Sequence, residues 1–178
     1  FVQSRKLATV RPGHSSVIIV GEKFYVGVDA IDKMDGTPNK LAVERYQAFL
    51  DGEEFFNVEI GETSYAHQRY INSMIAYGER GLDMVKTYVE PGNLLSSKYK
   101  AVNAGIVRLS DDNIHTLEVR ATDIYGNMQR ASFKVRRDKS VIAYNISDTL
   151  DRKKLLWYAP NILNNEEIVY SIPNGALY

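Results

Sequence analysis

Metal or nucleophilic chemistry would most readily start from histidine, and the chain holds three: His14, His67 and His115. None stands in H-x-x-x-D, H-x-H or H-E-x-x-H, the spacings that bring side chains onto one zinc ion. His14 falls in a loop, His67 in a predicted helix and His115 at the start of a strand, so the three read as surface or packing residues. No G-x-S-x-G elbow, phosphate loop or dinucleotide fingerprint accompanies them. On this reading no position is assigned as a catalytic residue, a metal ligand or a cofactor contact.

Two further groups could bind rather than react. Asp29, Asp32 and Asp35-Gly36 form a D-x-x-D-x-x-D-G series at a strand end. Calcium takes several oxygens from a flexible loop, but this spacing is not that of an EF-hand. Solvated turn carboxylates are the preferred reading, with calcium as the minor alternative. Tyrosine is over-used, at 12 against 6 Phe and a single Trp. Tyr65, Tyr70, Tyr77, Tyr88 and Tyr99 could make a ledge on which sugars stack, although a helix laid on a sheet would bury most of them. Tyr65 and Trp157 are the residues expected to contact a ligand, if one is bound.

The elements that would position these residues are mostly strands. From His115 to Arg136, Leu117, Val119 and Ala121 point one way while Thr116, Glu118, Arg120 and Thr122 point the other. After the turn Asp123-Ile124-Tyr125-Gly126-Asn127, Ala131, Phe133 and Val135 alternate with Ser132, Lys134 and Arg136. Alternation with a period of two over this length marks half-buried antiparallel strands. Many bacterial immunoglobulin-like modules end in this way. Val43 to Leu50 and Glu53 to Ile60 flank Asp51-Gly52, a pair suited to the positive φ angles of a type I′ turn. Shorter strands are expected at Val17–Val20, Phe24–Ala30 and Ile106–Leu109, with Leu82–Val89 ambiguous. From Ser64, a plausible N-cap, residues Ala66, Tyr70, Ile71, Met74, Ile75 and Tyr77 recur mostly at helical spacing, which predicts an amphipathic helix of about three to four turns near 64–78. The expected fold is a mainly β, immunoglobulin-like antiparallel sandwich with one inserted helix over residues 1–139. Residues 140–178 follow as an extension or the start of another β module.

Composition limits the partners. Lys+Arg and Asp+Glu both number 22, so no net field favours nucleic acid or an anionic membrane surface. No apolar run approaches the roughly 20 residues of a membrane-spanning helix. The chain has no Cys, which excludes disulfides and thiolate metal sites. It starts at Phe1 rather than Met, as expected of a processed product or an excised piece.

Several phrases carry a family resemblance. They are Val26-Gly27-Val28-Asp29-Ala30-Ile31-Asp32 with Met34-Asp35-Gly36, Arg69-Tyr70-Ile71-Asn72-Ser73, Tyr88-Val89-Glu90-Pro91-Gly92-Asn93, Asn103-Ala104-Gly105-Ile106, and Ile172-Pro173-Asn174-Gly175-Ala176-Leu177-Tyr178. In order and spacing they resemble the β-rich, non-catalytic region downstream of the catalytic domain in lysostaphin-type zinc metallopeptidases of Bacteroidetes. In that family a preceding domain holds zinc through H-x-x-x-D and H-x-H and cleaves cell-wall cross-links. Neither motif is in this chain, so no zinc ligand is carried onto it. The resemblance implies an accessory domain of a peptidoglycan-directed peptidase, exported to the periplasm or cell surface, with the attached peptidase as partner. A module that binds peptidoglycan, surface glycan or protein is the alternative.

Overall fold

The computed structural model describes residues 2–3, 6–7, 10–33, 40–41, 43–77, 83–95, 98–141, 159–164 and 169–174. The chain divides into two compact units, Phe1–Tyr144 and Asn145–Tyr178. It is mainly β. In the first unit the strands are β1 (Val2–Gln3), β2 (Lys6–Leu7), β3 (Ile18–Val20), β4 (Lys23–Phe24), β5 (Gly27–Val28), β6 (Asp32–Lys33) and β7 (Lys40–Leu41). They continue with β8 (Arg45–Leu50), β9 (Glu53–Glu59), β10 (Ile75–Tyr77), β11 (Asp83–Lys86), β12 (Tyr99–Ala101), β13 (Val107–Arg108), β14 (Ile114–Thr122) and β15 (Met128–Arg137). The second unit contains an antiparallel pair, β16 (Asn161–Asn164) and β17 (Val169–Ile172).

A six-stranded sheet in the order β12-β9-β8-β14-β15-β3 is the main layer of the first unit. The long hairpin read from the sequence supplies its β14 and β15, with Leu117 opposite Phe133 and Val119 opposite Ala131. Asp51 and Gly52 take φ of 50° and 87°, the left-handed pair that a type I′ turn demands, and β8 and β9 fold back about them. A bulge after Ala48 leaves Phe55 as the extra residue of β9. Along each strand alternate residues enter the core: Phe56 and Val58 from β9, Ala48 from β8, Leu117 from β14, Val135 from β15 and Val20 from β3 are all essentially inaccessible to water.

Two apolar clusters cover that inner face. In one, Phe24, Val26, Val107 and Leu109 pack on Ile18, Val20, Leu117, Phe133 and Val135. Phe24 and Val107 come from the two-stranded sheet of β4 and β13. In the other, Met74, Leu95 and Val43 pack on Tyr46, Ala48, Phe56 and Val58, with half-buried Val28, Tyr70, Ile71 and Val85 alongside. That side is built by the sheet β10-β11-β5 and the helical segment before it.

The helical segment is shorter than its periodicity predicts. A 3-10 turn over Tyr65–His67, four residues of α-helix (α1, Gln68–Ile71) and a second 3-10 turn over Asn72–Met74 make it up. Ile75 and Tyr77 then lie in β10, opposite Val85 and Asp83 of β11. Side chains help to end the helix: the Ser73 hydroxyl donates to the carbonyl of Tyr70 at 2.8 Å, and Asn93 Nδ2 approaches the same oxygen at 3.5 Å. The Ser64 side chain does not cap the helix.

Thr87 ties the covering layer together. It is 1 % exposed. Its hydroxyl donates to the carbonyl of Gly105 at 2.8 Å and accepts from the amide of Val26 at 3.1 Å, while its own N–H donates to the Val26 carbonyl at 2.8 Å. Gly105 meets it through a turn in which Asn103, Ala104 and Gly105 all have positive φ, at 50°, 53° and 73°. A Cβ on Gly105 would lie 1.8 Å from the Thr87 carbonyl oxygen, so only glycine fits. Replacing Thr87 by its near-isostere Val strips two buried backbone groups of their partner. This is expected to cost about 2–4 kcal/mol, read from the urea unfolding midpoint, with Thr87→Ser costing less. Equal stability for the Val and wild-type chains would show that the hydroxyl ties nothing.

Candidate functional site

The three histidines have three different settings, and among the described residues no group of three or more His, Asp or Glu side chains is placed to hold a metal ion. His14 lies in the exposed turn before β3, where its amide donates to the Arg11 carbonyl at 3.2 Å. Asp29 lies between β5 and β6, Asp32 is in β6, and Asp35 falls outside the described residues. The expected series therefore cannot be assembled as a site from the described side chains.

His67 brings an arrangement that spacing alone did not flag. Its Nδ1 is 3.0 Å from the Ser64 hydroxyl, a hydroxyl–imidazole pair of the kind used for nucleophilic attack. A working pair needs a third group that orients the ring and donors that receive an oxyanion. Here Nε2 makes no hydrogen bond among the described residues, both side chains are exposed, and the only further ring contact is with Tyr70 at 6.2 Å. The pair closes a 3-10 turn.

His115 has the most developed polar setting. It sits near the start of β14, and its Nδ1 lies 2.6 Å from Asp51 Oδ2 in the β8–β9 turn. Its Nε2 lies 3.1 Å from Asp111 Oδ1 in the loop before β14. Asp51 Oδ1 accepts the Thr116 amide at 2.7 Å, and Asp111 Oδ1 accepts the Asn113 amide at 2.8 Å. Hydrogen bonding to Asp51 is the largest cause that raises the imidazole pKa; burial opposes it, and Asp111 adds to it. Burial pushes Asp51 up, but its bonds to His115 and Thr116 outweigh this and leave its pKa lowered. Asp111 is lowered as well, first by the Asn113 amide and then by His115. Serving two carboxylates at once requires both ring nitrogens to carry protons. An imidazolium so engaged has no lone pair left for a substrate proton or a metal. It is a clamp between two turns.

The tyrosines divide between packing and exposure. Tyr70 and Tyr99 are half-buried against the second cluster, with the Tyr99 ring 6.0 Å from that of Phe56. Burial pushes the Tyr99 hydroxyl pKa up to about 12, against a bond from Asn93. Tyr88 stacks at 6.0 Å on Tyr25, and the buried Lys86, paired with Glu90, places its ammonium 5.7 Å from the Tyr88 ring centre. Tyr77 is in β10. Tyr65 is 91 % exposed at the start of the first 3-10 turn, open to a ligand, and Trp157 lies outside the described residues. The Asp123 carboxylate accepts the amides of Tyr125 and Asn127, each at 2.8 Å, which is turn chemistry. An open depression of about 370 Å³ is lined by Arg45, Asn57, Glu59, Lys98, Tyr99 and Lys100.

Comparison with known proteins gives no significant match to a family model, a curated protein or a solved structure.

The clamp sets a pH dependence with a definite sign. A histidine whose folded pKa is raised contributes fully below its unfolded value, near 6.5, and that contribution is lost as pH rises through the folded value. The lowered Asp51 and Asp111 contribute above about pH 4 and lose their effect as pH falls through their folded values. The melting temperature should therefore fall as pH rises from about 6 into the alkaline range, and His115→Asn should flatten that fall. A wild-type profile already flat across this range would show that the ring is not held charged.

Proposed function

We propose that the chain is a non-catalytic, immunoglobulin-like accessory module of a cell-envelope zinc metallopeptidase of the lysostaphin type. The module is exported to the periplasm or cell surface and positions or docks the attached, peptidoglycan-directed catalytic domain. One observation carries the reading: the four phrases that lie in the first unit meet through shared structural contacts. Asn93, at the end of Tyr88–Asn93, donates to the Ser73 hydroxyl at 2.7 Å, joining that phrase to Arg69–Ser73. The Val89 amide donates to the Ala104 carbonyl at 3.0 Å, reaching Asn103–Ile106. Thr87, one residue ahead of Tyr88, holds Val26 and Gly105. Residues that serve one another in this way specify a scaffold.

Strand order supports the immunoglobulin-like part of the reading. In that fold strands G, F and C are neighbours in one sheet, while D, E and B are neighbours in the other. Here β15, β14 and β8 adjoin in that order, as do β10, β11 and β5. The parallel pairing of β3 with β15 adds a first strand beside the last.

The alternative, a module binding glycan or protein at the cell surface, is favoured by a different observation. Tyr65 stands almost fully in solvent, as a sugar-stacking or protein-contacting ring would.

The accessory role predicts that the isolated chain, with zinc added, releases no new amines from peptidoglycan or cross-linked muropeptides. The coding sequence upstream of Phe1 should contain H-x-x-x-D followed by H-x-H. Turnover by the chain alone that Ser64→Ala or His67→Ala abolishes would refute the non-catalytic assignment. An upstream sequence without those motifs would remove the link to the peptidase.

A further inference from the structure

The formal charge of the whole chain is zero, but the charges are not spread evenly. Residues that alternate with the core positions of the six-stranded sheet point to its other face. On β15 these include Arg130, Lys134 and Arg136, all exposed. Arg120 of β14, Arg45 of β8 and Lys100 of β12 extend the same face across the sheet. Its carboxylates are Glu54, Glu59 and Glu118, half the number of its cations. Two of them are already engaged, Glu118 with Arg120 at 2.6 Å and Glu54 with Lys100 at 3.0 Å. Arg130, Lys134 and Arg136 make no hydrogen bond or close ion pair among the described residues, although Glu118 attracts Arg130 and Asp138 attracts Arg136 across a longer distance. Arg120 and Arg130 stand directly opposite each other in the ladder. Like charges directly opposite weaken a sheet. The face still carries more cations than carboxylates, an excess that an anionic ligand would complement.

We infer that this face binds a carboxylate-bearing polysaccharide laid along β15. Outward residues on a strand repeat every ~6.6 Å, so Arg130 to Arg136 spans about 20 Å. Carboxylates on successive or alternate sugars can meet a row of cations with such spacing. Between the cations, Thr116 offers a hydroxyl to a sugar, while Ser132, whose hydroxyl donates to Glu118 at 3.3 Å, offers an acceptor lone pair. Single-stranded nucleic acid would instead seek aromatic rings for its bases. The aromatic ring on this face, Phe49, lies under the Arg120 guanidinium, 4.2 Å from the ring centre. The inference deepens the glycan-binding reading and rests on it, independently of the peptidase link.

The test measures binding of the full chain to immobilised alginate, dextran, single-stranded DNA and phosphatidylglycerol vesicles. Alginate should bind, more weakly as salt rises, and dextran should not. The triple variant Arg130→Ser, Lys134→Ser, Arg136→Ser should lose affinity by about tenfold or more. A second exposed like-charge pair, Lys23 opposite Arg108 on the β4–β13 sheet, serves as control: Lys23→Ser with Arg108→Ser should bind as wild type does. If the triple variant fails to fold, the single variants Lys134→Ser and Arg136→Ser should each weaken binding. No alginate binding, equal loss in the control, or DNA or vesicles bound at least as tightly as alginate would overturn the inference. Dextran bound through Tyr65, with the triple variant unaffected, would keep the glycan-binding reading and discard the charged face.

Discussion

The hydroxyl of Thr87 holds the covering layer of this protein in register. It receives the amide of Val26 and gives its proton to the carbonyl of Gly105, so three segments remote in sequence meet at one buried oxygen. An unpaired polar group at such depth would cost more than the bond contributes, which makes the contact specific as well as stabilising. The left-handed run Asn103-Ala104-Gly105 exists to bring that carbonyl within reach. Two of its residues bear the steric cost of positive φ, and the third must be glycine. Asn93 does the same on a smaller scale: its Nδ2 donates to Ser73 and Tyr99, while its Oδ1 accepts the Leu95 amide.

Much of the main sheet was legible in the sequence. Alternation in Leu117–Ala121 and Ala131–Val135, and the Asp51-Gly52 turn, follow from rules that act within a few residues, and the structure obeys them. The helix after Ser64 was over-read because Ile75 and Tyr77 satisfy two periods at once. As the last positions of a helical stripe they fit, and as alternate residues of a strand they also fit. Pairing with β11, together with the side-chain bonds to the Tyr70 carbonyl, decides for the strand. Thr87 was invisible for a related reason. A lone Thr in a largely apolar run gives no local signal, and its partners lie 61 and 18 residues away.

The candidate chemistry shows the same limit. His115 looked like a surface or packing residue, and its carboxylate partners come from two turns, Asp51 lying 64 residues upstream. Once assembled, the cluster consumes both ring nitrogens in holding those turns, which argues for a structural role. Net charge concealed rather more. Equal numbers of cations and carboxylates suggest an electrostatically neutral chain. Alternation along β14 and β15 nevertheless gathers Arg120, Arg130, Lys134 and Arg136 on one face of the sheet.

Native-state hydrogen exchange tests the central claim, that the Thr87 contact is integral to the folded unit, most directly. The amides of Val26, Thr87 and Val89 should exchange only through global unfolding, with the same opening free energy as those of Leu117 and Val119 in the central strand, and Thr87→Val should lower all five together. Fast exchange at Val26, Thr87 and Val89 while Leu117 and Val119 stay protected would contradict the account and make the covering layer an independently opening part.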